Sequence, residues 1–151
     1  MLRRKPNKRV CRITHVQQEP NGCAIACIAM LSGYTYREVL AEYLTLNPAP
    51  FNGVNSPEEL LLLELFDIDY IQYNFFKRLP FGRCYLVAVP SLTEPGSSHR
   101  IILDMRDILS PPVVYDPNAG IEGKQVYTVG MEHDWQVWFS YSEVYEIRLW
   151  S

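Results

Sequence analysis

The chain has 151 residues, of which 48% are apolar and 21% charged, a balance typical of one globular domain rather than a disordered chain. Residues 1–12 hold six of the 14 basic residues and no acidic one, so residues 13–151 carry eight basic residues against 17 acidic ones. An acidic body argues against a nucleic-acid groove across the domain, and the longest uncharged run, Pro20–Tyr36, is too short and too polar to span a membrane.

The charge pattern predicts a flexible basic arm over residues 1–12 and a single domain over residues 13–151. The arm is suited to an acidic partner or to nucleic acid, and its alternative role is that of a solvated terminus. No apolar stretch follows the basic start, so we expect a cytoplasmic protein without a membrane span, with a secreted effector as the alternative. In that setting the four cysteines are expected to be reduced, and their spacing predicts no metal or other cofactor.

The first half of the chain predicts helices. Pro20-Asn21-Gly22 is a turn, and the small, apolar run Cys23–Leu31 after it predicts a buried helix that Asn21 or Gly22 caps and Gly33 ends. A second helix is expected over Tyr36–Leu46. Ser56-Pro57-Glu58-Glu59 predicts a third helix that runs through Phe66, with Ser56 as its cap, Pro57 at its first position and Glu59 at its third.

The second half predicts strands, because short runs rich in Val, Ile, Tyr and Leu alternate with turn residues. These runs are Tyr70–Phe76, Arg83–Val89, His99–Met105, Val113–Asp116, Gln125–Val129 and Val144–Trp150. Helices followed by strands indicate an α+β domain, in which the helical part packs on a largely antiparallel sheet.

Cys23 is the candidate nucleophile. It stands in the first turn of a buried helix, where free N–H groups and the helix dipole favour a thiolate. Cys27, one turn further along, is expected to be a small core residue. Gln17, six residues before Cys23, is the candidate donor to an oxyanion through its side-chain amide, and Gln18 is its rival.

Three histidines compete for the role of base. His15 lies at a strand or loop edge and His133 in a polar loop, whereas His99 opens an apolar strand after a Gly- and Pro-containing loop. If the strands over His99–Met105 and Val113–Asp116 form a hairpin centred between Asp107 and Ile108, His99 directly faces Asp116. A carboxylate in that place orients a catalytic imidazole. Asn118 is the weaker candidate for this third role.

These segments together resemble the papain-like cysteine peptidases. The resemblance rests on Gln17 before Gly22-Cys23-Ala24-Ile25-Ala26-Cys27, on Ser98-His99-Arg100-Ile101-Ile102-Leu103, and on Val114-Tyr115-Asp116-Pro117-Asn118-Ala119-Gly120. The likeness is greatest to the domains that process bacteriocin leader peptides in peptide-exporting transporters. That family usually has a glycine after the nucleophile, where this chain has Ala24. No transmembrane or nucleotide-binding region follows, so a stand-alone enzyme is expected.

The resemblance implies a cysteine peptidase that hydrolyses a peptide or isopeptide bond through a Cys-His-Asp triad and a thioester, with a peptide or protein as substrate. It assigns Cys23 as nucleophile, His99 as base, Asp116 as the residue that orients the base, and Gln17 as oxyanion donor. The same triad serves deamidases, transamidases and acyltransferases. A catalytically inactive peptide-binding module is the alternative outside enzymes.

Overall fold

The computed structural model describes residues 12–73, 79–90, 98–118, 125–128 and 143–148. Residues 1–11, which make up most of the predicted basic arm, and His133 lie outside this part of the chain. The described chain is α+β, as predicted, with its helices before its strands. The helices are α1 (Cys23–Ser32), α2 (Tyr36–Leu46) and α3 (Ser56–Leu65). The strands are β1 (Asp69–Tyr73), β2 (Cys84–Pro90), β3 (Ser98–Asp104), β4 (Val113–Tyr115), β5 (Val126–Thr128) and β6 (Glu143–Arg148).

The helix boundaries follow the local signals of the sequence. Gly22 is the N-cap of α1, and Gly33 ends the helix in a left-handed conformation, with φ at 78°. Both features match the prediction. The predicted cap of α3 is wrong by one residue, because Asn55 rather than Ser56 caps it. The Asn55 side chain accepts the Glu58 N–H at 2.9 Å, and the Glu58 carboxylate accepts the Asn55 N–H at 3.0 Å.

The six strands form one antiparallel sheet in the order β1-β6-β2-β3-β4-β5. Each strand begins within one residue of its predicted start. β3 is held on both sides, since Val89 of β2 pairs with His99 and Tyr115 of β4 pairs with Ile102. The last three residues of β3 are therefore paired on both edges, whereas Ser98–Ile101 pair with β2 alone.

The helices pack on one side of this sheet. Nine of the ten residues of α1 are buried, and the helix lies against β3 between α2 and α3. Its alanines allow this close approach, which brings the beginning of α1 next to the beginning of β3. Among the described helices, none combines the length and the apolar character needed to cross a bilayer.

Candidate active site

Cys23 begins α1 and is half-buried, whereas the nine residues after it are buried. The chain enters the helix through a tight turn, in which the Gly22 N–H donates to the Glu19 carbonyl at 2.9 Å and Asn21 adopts a positive φ of 63°. No side chain of the described residues caps this end of α1. The N–H groups of the first turn therefore remain available to negative charge at the Cys23 sulfur or at a bound carbonyl oxygen.

Residue 22 must be a glycine because of its neighbour on α2. The buried Tyr36 hydroxyl lies so close to Gly22 that a Cβ atom at this position would overlap it. The Glu19 carbonyl oxygen would lie 3.0 Å from the same atom. The backbone before Cys23 is thus confined between α2 and the preceding turn, and any larger residue would displace the start of α1.

His99 and Asp116 are joined by a short hydrogen bond, with 2.7 Å between His99 Nε2 and Asp116 Oδ1. A carboxylate only accepts, so Nε2 carries a proton and donates. The side chains are 18% and 9% exposed, and this shelter from water strengthens the contact. The His99 ring also has the Cys23 side chain as a hydrogen-bond partner. Because Nε2 is engaged by Asp116, Nδ1 is the nitrogen left for the sulfur.

The pKa of His99 reflects these neighbours. Burial acts to lower the pKa, but the hydrogen bonds and negative charges of Asp116 and Cys23 outweigh it and raise the pKa from 6.5 to about 9. An imidazole with such a pKa is protonated at neutral pH when Cys23 is ionised beside it. The site can therefore hold a thiolate–imidazolium pair.

The predicted hairpin register is wrong by two residues, although the contact it was meant to explain is present. Leu103 pairs with Val114, so the hairpin is centred between Ile108 and Leu109 rather than one position earlier. A shift of two residues keeps every side chain on its face of the sheet. His99 therefore lies diagonal to Asp116 instead of opposite, still within reach of a long side chain.

Asp116 is fixed by groups from three other parts of the chain. Its Oδ1 also accepts the Asn118 N–H at 2.9 Å, and its own N–H donates to the Gln125 carbonyl at 2.7 Å. Its backbone carbonyl accepts a hydrogen bond of 2.7 Å from His15 Nε2. His15, a rival for the role of base in the sequence, thus contacts the backbone of Asp116. Asn118, the other candidate for the orienting role, contributes its backbone N–H.

The two glutamines have different surroundings. Gln17 is exposed, whereas Gln18 is half-buried and its backbone N–H donates to the Pro117 carbonyl at 2.7 Å. The Gln18 Oε1 is buried and has no hydrogen-bond partner within the described part of the chain. Gln18 is therefore the glutamine held by the fold beside the segment of Asp116, whereas Gln17 lies at the surface.

Tyr127 and the pair Arg100–Glu59 belong to this region and were missed in the sequence. Tyr127 of β5 makes a side-chain hydrogen bond to Asp116, and burial together with the Asp116 charge raises its pKa to about 12. Arg100 of β3 and Glu59 of α3 form a buried ion pair at 3.0 Å. A charged residue next to an apolar run was the available signal, because a charge buried in a core needs a partner.

A surface cavity of about 560 Å³ adjoins the site. His15, which contacts Asp116, and Tyr36, which contacts Gly22, both line it. Arg12, Thr14, Val16, Met30 and Tyr34 complete much of its wall. Within the described ranges, no group of three or more His, Cys, Asp or Glu side chains is arranged to hold a metal ion.

No family model matches the chain, and a search of curated proteins finds no match. The likeness to the papain-like peptidases therefore stays a prediction, based on the residues named above.

Proposed function

We propose that the protein is a papain-like cysteine hydrolase that cleaves a peptide or isopeptide bond. The observation that carries the proposal is the double contact of one imidazole, since His99 bonds both the Cys23 side chain and the Asp116 carboxylate. This places a nucleophile, a base and a group that orients the base in one hydrogen-bonded chain. A peptide-binding module without catalytic activity does not require these hydrogen bonds.

The position of the triad in the fold also supports the proposal. Cys23 lies at the half-buried start of a helix that is otherwise buried against an antiparallel sheet, and His99 and Asp116 come from two neighbouring strands of that sheet or their ends. The nucleophile therefore lies on the helical layer and its base on the sheet. The papain-like architecture predicts this division of the triad.

In the proposed reaction the Cys23 thiolate attacks the carbonyl carbon of the substrate. The carbon–nitrogen bond then breaks, the His99 imidazolium donates its proton to the leaving amine, and the acyl group remains on sulfur as a thioester. A water molecule gives a proton to His99 and attacks the thioester. The carboxylic acid leaves, and the thiolate–imidazolium pair is restored.

Negative charge on the carbonyl oxygen requires fixed donors in both steps. The backbone N–H of Cys23 is one proposed donor, and the side-chain amide of Gln18 is the other. Gln17, which the resemblance assigns to this role, is its alternative and provides a matched control because it lies next in the chain.

The first experiment is alkylation of the folded protein with iodoacetamide from pH 5 to pH 9, with each cysteine followed by mass spectrometry. Cys27 and Cys84 serve as internal controls, since both are buried and burial raises the pKa of each thiol. We expect Cys23 to react at least about tenfold faster than either of them and to remain reactive below about pH 6. His99→Ala should remove this reactivity at acidic pH.

If Cys23 reacts no faster than the buried cysteines, it is a core residue and the peptide-binding alternative replaces the proposal. If Cys23 is reactive, incubation with peptides separates the possible reactions. A shorter chain indicates a peptidase, whereas a changed side-chain mass at constant length indicates a deamidase, transamidase or acyltransferase.

A further inference from the structure

A buried cluster of charges lies immediately behind the candidate triad. Arg100 Nε donates to both carboxylate oxygens of Glu59 at 3.0 Å, and its terminal nitrogens reach Ser98 Oγ at 3.1 Å and Glu143 Oε1 at 3.1 Å. The Arg100 side chain is 8% exposed and that of Glu59 is fully buried. Glu143 is further held by the hydroxyls of Ser56 and Tyr145, each at 2.6 Å.

Burying such a cluster costs desolvation free energy, so stability alone does not explain its presence. Taking an ion pair out of water often costs more than the attraction returns, and apolar residues of similar volume commonly do as well. Many of the residues around it on the helix-facing side of the sheet are apolar, including Leu62, Leu63 and Ile102. The location of the cluster therefore suggests its role.

The cluster fixes β3, the strand that carries His99, to α3 and to β6, and a backbone contact of the same residue joins β3 to α1. Arg100 contacts the side chain of Ser98, so the residues before and after His99 are joined to each other. The Arg100 carbonyl accepts the thiol of Cys27 at 3.5 Å, one helical turn beyond Cys23. Burial raises the pKa of Cys27 well above 9.0, so Cys27 is a thiol that donates this hydrogen bond.

The surroundings of Arg100 are acidic: burial lowers its pKa, but the charges of Glu59, Glu143 and Cys23 outweigh this and raise it. Several other ionisable groups surround Cys23 and His99. They are His15 before α1, Cys27 on α1, Tyr36 on α2, Glu59 on α3, Asp116 after β4, Tyr127 on β5 and Glu143 on β6.

We propose that Arg100, held in place by Glu59, is a positioning residue that aligns His99 with Cys23. The proposal rests on the proposed function, because it assigns Arg100 to the same triad. Arg100 touches neither the substrate nor the reacting atoms in this scheme. It acts through the strand that carries His99.

The test uses the double variant Glu59→Leu/Arg100→Met, in which the pair is replaced by apolar residues of similar volume so that no buried charge is left without its partner. Arg83→Met is the control, since it breaks a more exposed arginine–glutamate contact, between Arg83 just before β2 and Glu146 of β6 at 2.6 Å, at the end of β2 away from His99. The readout is the rate of Cys23 alkylation against pH, together with unfolding in urea.

We expect the folded double variant to lose about tenfold in the alkylation rate of Cys23 near pH 6 and to shift the midpoint of its pH profile upward, because a misaligned His99 stabilises the Cys23 thiolate less well. Arg83→Met should keep the wild-type profile. Arg100→Lys keeps the charge but loses the planar fork, and it should recover part of the loss.

A folded double variant with the wild-type pH profile would overturn the inference and leave only a structural role. If the double variant does not fold, Arg100→Lys decides, because an unchanged profile and an unchanged peptide turnover would again overturn it. Failure of the proposed function itself is distinguishable, since wild-type Cys23 would then be no more reactive than Cys27.

Discussion

The two ends of the hairpin formed by β3 and β4 are built in opposite ways. At the end next to α1, Asp116 is buried and bonded to residues far away in the sequence, among them His15, 101 positions before it. At the turn end, Ile108 and Leu109 are 62% and 90% exposed. Asp107 holds that turn locally, accepting the Leu109 N–H at 3.0 Å and the Ser110 hydroxyl at 2.8 Å.

Each end departs from the rule that apolar residues lie inside and polar ones outside. The turn end departs from it at little cost, because its partners are within three residues and form with the turn itself. The end next to α1 buries a carboxylate and an arginine, which is tolerated only when the rest of the fold supplies partners. Such a concentration of buried polar contacts is typical of functional sites.

The largest expected effect on turnover comes from Asp116, at the end of the hairpin next to α1. Asp116→Ala removes the acceptor for His99 Nε2, leaving the imidazole free to rotate, and we expect peptide turnover to fall by at least about a hundredfold. Asp104→Ala is the control on the same hairpin, where the carboxylate bonds Arg106 at 2.8 Å. Turnover is measured with a peptide that the wild type cleaves. Equal losses in the two variants would mean that Asp116 supports the hairpin and not the base.

The next effect distinguishes the two glutamines before Cys23. Gln18→Ala should lower turnover by about 10²–10³-fold, as expected for one oxyanion donor, while Gln17→Ala should change it less than about threefold. The loss should appear in kcat more than in KM, since the oxyanion exists only after attack. The reverse order of the two variants would restore Gln17 to the role that the resemblance assigns to it.

Local signals in the sequence were enough to predict the helices, the strands and the contact between His99 and Asp116. The details that depend on distant partners were not predictable. Arg100 and Glu59 are 41 residues apart, and the backbone bond of Gln18 to Pro117 joins the segment before α1 to the segment after β4. The register was missed in a turn where Asp107 accepts hydrogen bonds from Leu109 and Ser110, contacts that counting residues to a symmetric centre does not take into account.

A smaller effect concerns the pH dependence of stability. The pKa of His99 rises from 6.5 to about 9 on folding, so the folded state binds the proton more tightly. This contribution, on the order of 3 kcal/mol, is fully present below about pH 6.5 and is lost as the pH rises through about 9. The free energy of unfolding should therefore fall between pH 7 and pH 9 in wild type.

His99→Gln is the reference for this measurement, made by urea titration at each pH. Burial also raises the pKa values of Cys27 and Cys84, so these thiols lower the free energy of unfolding as the pH rises through about 9. They do so in both proteins. The difference between the two curves reports the proton held by His99 together with its partners Asp116 and Cys23. Parallel curves would mean that Asp116 and Cys23 do not hold a proton on the imidazole.

The smallest effect is expected at the turn end of the hairpin. Leu109 makes little contact with the protein, so Leu109→Ser should change the free energy of unfolding by less than about 0.5 kcal/mol. Turnover and the alkylation of Cys23 should remain at wild-type values, since the turn is held by Asp107 and not by the leucine. A loss of turnover in this folded variant would show that the two ends of the hairpin are coupled, with the exposed leucine contributing to substrate binding or to the alignment of β3.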